Sequence, residues 1–188
     1  YAQKAGIFAE FGKIVTIALG RMVVDEGGGY VLRVKGISHH DERCLLEALN
    51  EEFARIGSSR LRLCGHNIKE FDIPYICRRM TVHGIQLPQV LDVAGKKPWE
   101  VHHVDTMELW KFGDRKNYTS LDLLAHLFGI PSSKAIMQNH QVGEFYYVKK
   151  DLPSIEAYCK EDIVATARVF CKLKRLPLPR AIRLDGTL

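Results

Sequence analysis

The chain has 188 residues, of which 46% are apolar and 26% charged, the proportions of a folded globular protein of one ordinary domain rather than a disordered chain. Lys and Arg number 27 against 22 Asp and Glu, a formal charge of +5, which suits a polyanionic partner without requiring one. The longest apolar run, IVTIAL at 14–19, is too short to span a bilayer, and no basic-then-apolar leader opens the sequence. The five cysteines (Cys44, Cys64, Cys77, Cys159, Cys171) show no CxxC spacing. These features argue against a membrane protein, a disulfide framework and a zinc site, and for a cytoplasmic protein with reduced thiols.

In chain order, KIVTIALGRMVV (13–24) is rich in β-branched residues and YVLRVKGIS (30–38) alternates, so the two read as an antiparallel hairpin around Gly27-Gly28-Gly29. Ser38 and Asp41 then signal a helix start, and Leu45, Leu46, Leu49, Phe53 and Ile56 recur at helical spacing until Gly57. LRLCGHN (61–67) reads as a short strand. A helix from about Pro74 to His83, capped by Gly84, follows it, with Asp72 at the junction. Val101 to Asp105 reads as another strand. Thr119 opens a helix with Leu121, Leu124, Ala125 and Phe128 on one face, and 131–144 reads as loop. A last long helix begins near Pro153 with Ile155, Cys159, Ile163, Ala167 and Phe170 as its apolar stripe. A domain over 1–174 is thus followed by a basic tail, 175–188, which Pro177 and Pro179 should make extended and which should leave the domain. A hairpin followed by helix-strand-helix units indicates an α/β layer fold with a mixed sheet.

The candidate chemistry lies at element ends. Asp72 stands at a strand-to-helix junction in HNIKEFDIPYI, and one carboxylate there does little alone. In AYCKEDIVAT, Tyr158 and Asp162 are four residues apart, so a helix carries both on one face. Hard divalent cations such as Mg²⁺ or Mn²⁺ take carboxylate oxygens, and two ions about 3.5–4 Å apart clamp the attacking and leaving oxygens in phosphodiester cleavage. Two Asp residues do not fill such a site. In this reading Tyr158 positions, or helps deprotonate, the attacking water.

NIKEFD matches the Asn, spacer, aromatic-Asp motif of the DEDD 3′-5′ exonuclease superfamily, and YCKED matches the Tyr-x-x-x-Asp motif of its tyrosine subclass. Between them, HVDTMEL and NYTSLDLLAHLFGIPSSK are similar to the Asp-Thr, Ser-Leu, Leu-x-x-Leu-Gly, Lys progression of these nucleases. Residues 7 to 171 together resemble the bacterial predicted exonucleases related to the proofreading domain of family B DNA polymerases. The resemblance implies an α/β, RNase H-like fold with a mixed central sheet flanked by helices. It also implies removal of 5′ mononucleotides from a 3′ end of nucleic acid, with single-stranded DNA as the expected substrate, using two Mg²⁺ or Mn²⁺ ions. Asp72 and Asp162 would be metal-coordinating acids, Tyr158 the water-orienting residue, and Asn67 and Phe71 groups near the substrate strand. In the family a first strand bearing Asp-x-Glu lies in the middle of the sheet and supplies two of the four acids. No such strand precedes residue 13, and Asp25-Glu26 has the wrong spacing. The expectation is that this strand lies upstream of Tyr1; if it does not, the chain is a catalytically incomplete nucleic-acid-binding or scaffold domain.

Simpler readings compete at each position. Asp72 before Pro74 suits a helix cap, since an acid near the first turn stabilises the helix by about 0.3–1 kcal/mol. Tyr158 and Asp162 suit an ordinary solvated pair on spacing alone. Asp105 suits a cap for the turn after its strand, and His39-His40 and His102-His103 suit surface or loop histidines. AGKKPWE (94–100) places Lys96, Lys97 and Trp99 in a loop, a composition that holds a phosphate and stacks a base, or simply an exposed connection with one buried aromatic. Lys134, Lys149 and Lys150 precede the last helix, where they suit phosphate contact or plain solvation. Neither the preference between DNA and RNA nor an oligomeric state follows from these residues.

Overall fold

The structure, a computed structural model, describes residues 5–57, 61–114, 116–131, 137–184, 186 and 188. The chain divides into two compact units: the segment up to Val15 with His39–Asp105, and Thr16–Ser38 with Thr106–Leu188. The boundary runs through connections that the sequence reads as interior to one domain.

In the unit of Thr16–Ser38 and Thr106–Leu188, strands β1 (Thr16–Val24) and β2 (Tyr30–Ser38) form the expected antiparallel hairpin, in register from Thr16↔Ser38 to Val24↔Tyr30. The Asp25 carboxylate accepts the N–H groups of Gly27 and Gly29 at 2.9 and 3.1 Å. Gly28 takes the left-handed conformation (φ 74°) that the tight turn requires. The basic tail does not leave the domain. Extended after the last helix, as its prolines require, it returns as β5 (Ala181–Arg183), parallel to β2, so the sheet is mixed and ordered β1-β2-β5. Arg180 fixes the return through its N–H to Tyr30 C=O at 2.9 Å and an ion pair with Asp25.

Helix α6 (Leu152–Lys174) lies against β1 and β2. Leu32, Val34 and Val164 are buried there with Met22, Ile163, Ala167 and Ile182 around them. The opposite side of α6 meets α4 (Leu121–Leu127) in a second cluster of Leu124, Ala125, Ile130, Ala165 and Val169. Packed on several sides, α6 buries Ile155, Tyr158, Val164, Ala165, Thr166, Val169 and Cys171. Of the expected stripe, only Ile155 is fully buried; Cys159, Ile163, Ala167 and Phe170 are half-buried. Two six-residue helices, α3 (Thr106–Lys111) and α5 (Val142–Tyr147), occupy segments that carry no helical pattern of their own, the latter within and just beyond the expected loop.

In the other unit, α1 (Glu42–Ile56) starts where Asp41 accepts the N–H groups of Arg43 and Cys44, and ends at Gly57 (φ 83°), as the sequence indicates. Leu45, Leu46, Leu49 and Phe53 are its buried face. The expected strands contract to two paired residues each: β3 (Cys64–Gly65) runs parallel to β4 (Val104–Asp105). Helix α2 (Asp72–Val82) begins two residues earlier than the proline suggests. Among the described residues no helix is long and apolar enough to cross a membrane, and all five cysteines are free thiols.

Candidate active site

The residues around Asp72 are held by a loop that leaves β3 and doubles back. Asn67 adopts φ 60°, a left-handed conformation that asparagine tolerates better than most residues. Its carbonyl accepts the Phe71 N–H at 3.0 Å, the Ile68 carbonyl accepts the Ile73 N–H at 3.0 Å, and the Phe71 carbonyl accepts the Tyr75 N–H at 2.9 Å. Asp72 follows as the first helical residue of α2. The N-cap position is occupied by Phe71, and no side chain caps it, so Asp72 is not the cap residue that the simpler reading supposes. It is exposed at the helix end where the macrodipole favours an anion. Phe71 is 41% exposed, its ring 5.7 Å from that of Tyr75.

Beneath this loop, Asp105 ends β4 and is 3% exposed. It accepts the Asn67 N–H on Oδ1 at 2.9 Å and the Lys69 N–H on Oδ2 at 3.2 Å. It therefore holds the loop after the neighbouring strand. The trace of this in the sequence is an Asp at the end of a segment that reads as a strand.

Glu42, in the first turn of α1, is a second buried acid, its side chain 4% exposed. Arg79 Nε donates to Oε1 at 3.0 Å and Oε2 at 3.2 Å, Arg79 Nη2 to Oε2 at 2.5 Å, and the Ile14 N–H to Oε1 at 2.7 Å. His83 Nε2 lies 2.8 Å from Oε2. Burial opposes ionisation of Glu42, but the Arg79 guanidinium, the Ile14 N–H and His83 outweigh it and hold the carboxyl below its ordinary value. Arg79 Nη1 also donates to Ala9 C=O at 2.9 Å, so this cluster ties the amino-terminal segment to α1 and α2. Nearby in sequence to Asp105, His103 is not a loose surface histidine. Its Nδ1 accepts the Leu63 N–H at 3.2 Å and its Nε2 donates to Val90 C=O at 2.8 Å, fixing a neutral tautomer. Burial, ahead of neighbouring positive charge, lowers its pKa, while the Val90 bond works the other way.

Lys96, Lys97 and Trp99 lie on an exposed turn whose last part, Pro98–Glu100, is a single 3-10 turn. Trp99 is 72% exposed rather than buried, and the Lys97 ammonium lies 5.3 Å from its ring centre. Lys96 Nζ donates to Asp92 C=O at 2.6 Å.

In the other unit, α6 carries Tyr158 and Asp162 one turn apart, on the same side of the helix. Asp162 is half-buried. Tyr158 is 7% exposed, packed with Met137 and Ile155 among Val142, Phe145, Tyr146, Leu152 and Cys159. Such packing holds its ring in one orientation. Lys149 pairs with Glu144 at 3.1 Å and lies 3.8 Å from the ring centre of Phe145. Lys150 is exposed, and Lys134 lies outside the described residues.

The carboxylates of Asp72 and Asp162 are oxygen donors of the kind hard divalent cations take. A two-ion site takes more carboxylate oxygens than these two residues offer. Among the described residues no group of three or more His, Cys, Asp or Glu side chains is arranged to hold a metal ion.

Residues 7–177 match the model of a family described as a predicted 3′-5′ exonuclease related to the exonuclease domain of PolB. Among solved structures, the chain is similar to the family B DNA polymerase of the hyperthermophilic archaeon Pyrobaculum calidifontis. That match has 16% identity and a TM-score of 0.53, over 86% of this chain. The likeness is one of fold, to the RNase H-like α/β architecture with a mixed sheet flanked by helices, and the chain spans 25% of the length of that polymerase. No curated protein matches.

Proposed function

The chain belongs to the family of predicted 3′-5′ exonucleases related to the exonuclease domain of PolB, and from that premise we propose that it removes nucleotides from the 3′ end of single-stranded nucleic acid, DNA in preference, as 5′ mononucleotides. The observation that carries this reading is the family match itself, whose bounds, 7–177, include Asn67, Phe71, Asp72, Tyr158 and Asp162. It is supported by the exposed placement of Asp72 at the head of α2, on a loop with hydrogen bonds on both sides of the acid.

Asp72 and Asp162 are the residues that would hold divalent cations, Mg²⁺ or Mn²⁺, which when bound supply positive charge at the scissile phosphate and acidify water. Tyr158, its ring fixed by the α6 cluster, orients the attacking water through its hydroxyl. Asn67 and Phe71 contact the terminal nucleotide, Phe71 by stacking. Trp99 stacks a base farther along the strand, and Lys96, Lys97 and Lys134 meet its phosphates. Free thiols throughout suit a cytoplasmic location.

A second reading, a nucleic-acid-binding or scaffold domain without catalysis, is favoured by the absence of a three-ligand cluster among the described residues. Digestion of 5′-labelled single-stranded DNA and RNA oligonucleotides with Mn²⁺ separates the two. The exonuclease reading expects a ladder shortening from the 3′ end, lost with EDTA and in Asp72→Asn and Asp162→Asn. Intact oligonucleotide that is nevertheless retarded on a native gel would replace it with the binding reading.

A further inference from the structure

Resting on the exonuclease reading, we propose that Asp105 is a positioning residue, which fixes through backbone hydrogen bonds the loop that presents Asp72. The carboxylate is 3% exposed, and its two oxygens accept the N–H groups of Asn67 and Lys69 at 2.9 and 3.2 Å. Alternate N–H groups converging on one anion form a concave cradle of the kind backbone nests make for anions, here filled by the protein's own side chain. With a backbone donor on each oxygen, this acid holds the loop, and at 3% exposure it lies too deep to serve as an open cation ligand.

Two residues of the segment that Asp105 holds, Asn67 and Ile68, carry the hydrogen bonds that frame Asp72. Asn67 C=O receives Phe71 N–H and Ile68 C=O receives Ile73 N–H, both at 3.0 Å, so the residue on each side of Asp72 is tied to the segment that Asp105 holds. Asn67 must stay left-handed, at φ 60°, for its N–H to face the carboxylate and its C=O to face Phe71. A second feature closes the loop from below. Gly65, which pairs with Asp105 across β3 and β4, lies so close under Ile68 that a Cβ on it would come within 2.6 Å of the Ile68 Cβ. The loop is thus pressed onto the strand at Gly65 and anchored to the next strand by Asp105.

Asp105→Asn keeps the shape but leaves one oxygen where there were two, so one of the two N–H groups faces an amide donor. Hydrogen exchange of the metal-free protein, read by NMR at the Asn67 and Lys69 amides, reports the anchoring without any catalysis. In wild-type protein both amides are expected to be protected, and in Asp105→Asn to exchange at least about 10-fold faster while α1 and α6 keep their protection. With Mn²⁺ and a labelled single strand, kcat is expected to fall about 100-fold with KM changed less than about 3-fold, the signature of a misplaced catalytic acid. Unprotected amides at 67 and 69 in wild-type protein would overturn the proposal, whether or not the variant folds. So would unchanged exchange in the variant, wild-type turnover, or loss of protection spread across all helices, which would make Asp105 merely structural. If wild-type protein cleaves nothing, the exonuclease reading fails on its own, and the exchange result still decides whether Asp105 anchors the loop.

Discussion

Replacing Arg79 by methionine removes the strongest partner of a buried acid. Glu42, 4% exposed at its side chain, loses the guanidinium bonds at 3.0, 3.2 and 2.5 Å and keeps only the Ile14 N–H at 2.7 Å and His83 at 2.8 Å. Breaking a buried ion pair from one side costs about 3–5 kcal/mol. The two remaining partners place this case near the lower end, while the orphaned Ala9 carbonyl adds about 1 kcal/mol. A loss of about 3–4 kcal/mol at pH 7 is therefore expected, a large part of the 5–15 kcal/mol that typically holds a domain together. Urea unfolding at pH 7 and pH 4 checks both size and cause. In wild-type protein the Glu42 carboxyl is held below its ordinary value of 4.5, so its contribution is full above that pH and fades as pH falls through the lowered value. In Arg79→Met, burial acts with less opposition, the acid takes up a proton more readily, and the deficit shrinks at pH 4. Glu42→Gln combined with Arg79→Met is expected to recover part of the loss. A deficit below about 1 kcal/mol at pH 7, or one equal at both pH values, would refute the claim that the cluster works through a buried charge.

Other perturbations probe other parts of the chain. In Gly20→Ala the new Cβ would lie 2.4 Å from Ile163 Cγ2, where a β-branched side chain on α6 has little room to yield. A loss of about 1–3 kcal/mol in urea unfolding is expected, and unchanged stability would show that α6 shifts freely on the sheet. His103 is held neutral chiefly by burial, below its ordinary 6.5, so the unfolded chain binds the proton more readily and stability falls as pH drops below that value. His103→Gln, which retains a donor and an acceptor, should flatten that part of a pH-stability curve. Burial pushes the Cys77 thiol up to about 11. Iodoacetamide at pH 8 should therefore label exposed Cys44 and Cys64 well before Cys77, and equal rates, followed by mass spectrometry, would contradict its placement.

What the sequence made legible was local. The hairpin register follows from β-branched runs around a glycine turn, and α1 is bounded by a capping Asp41 and a left-handed Gly57, signals that lie within a few residues of what they specify. Tyr158 and Asp162 stand one turn apart on α6, because a four-residue spacing on a long helix leaves no freedom, whereas Asp72, read at the junction, is the first residue of α2. What was not legible depends on partners far along the chain. The segments 61–67 and 101–105 read as full strands, yet only Cys64–Gly65 and Val104–Asp105 pair. Helices α3 and α5 are too short to show a period. The buried face of α6 cannot be read from one stripe when a sheet and other helices enclose it, which is why Tyr158, counted as polar, is more deeply buried than Phe170. Glu42 reads as an ordinary surface acid of a first turn until Arg79, 37 residues away, and His83, 41 away, meet it.

The acids near the candidate chemistry differ in a way that burial and hydrogen bonding reveal and motif reading does not. Glu42 and Asp105 are nearly sealed, and the oxygens of each accept backbone N–H groups or a guanidinium, so desolvation has been offset by protein donors and their charge is committed to holding the chain. Asp72 is exposed at the first turn of a helix. An exposed carboxylate is accessible to a cation or a phosphate-bound cation, whereas a sealed one is not without breaking bonds that cost several kcal/mol to replace. The buried acids are therefore the reason an exposed one can be kept in a fixed place: Asp105 sets the loop on which Asp72 stands, and Glu42 joins α1, α2 and the amino-terminal segment into one support. On the exonuclease reading, a neutral amide at position 72 should abolish 3′-end cleavage without loosening the loop at 67 and 69, whereas the same change at position 105 should weaken both the loop and cleavage. That difference would separate an acid proposed to hold a cation from one that holds the loop in position.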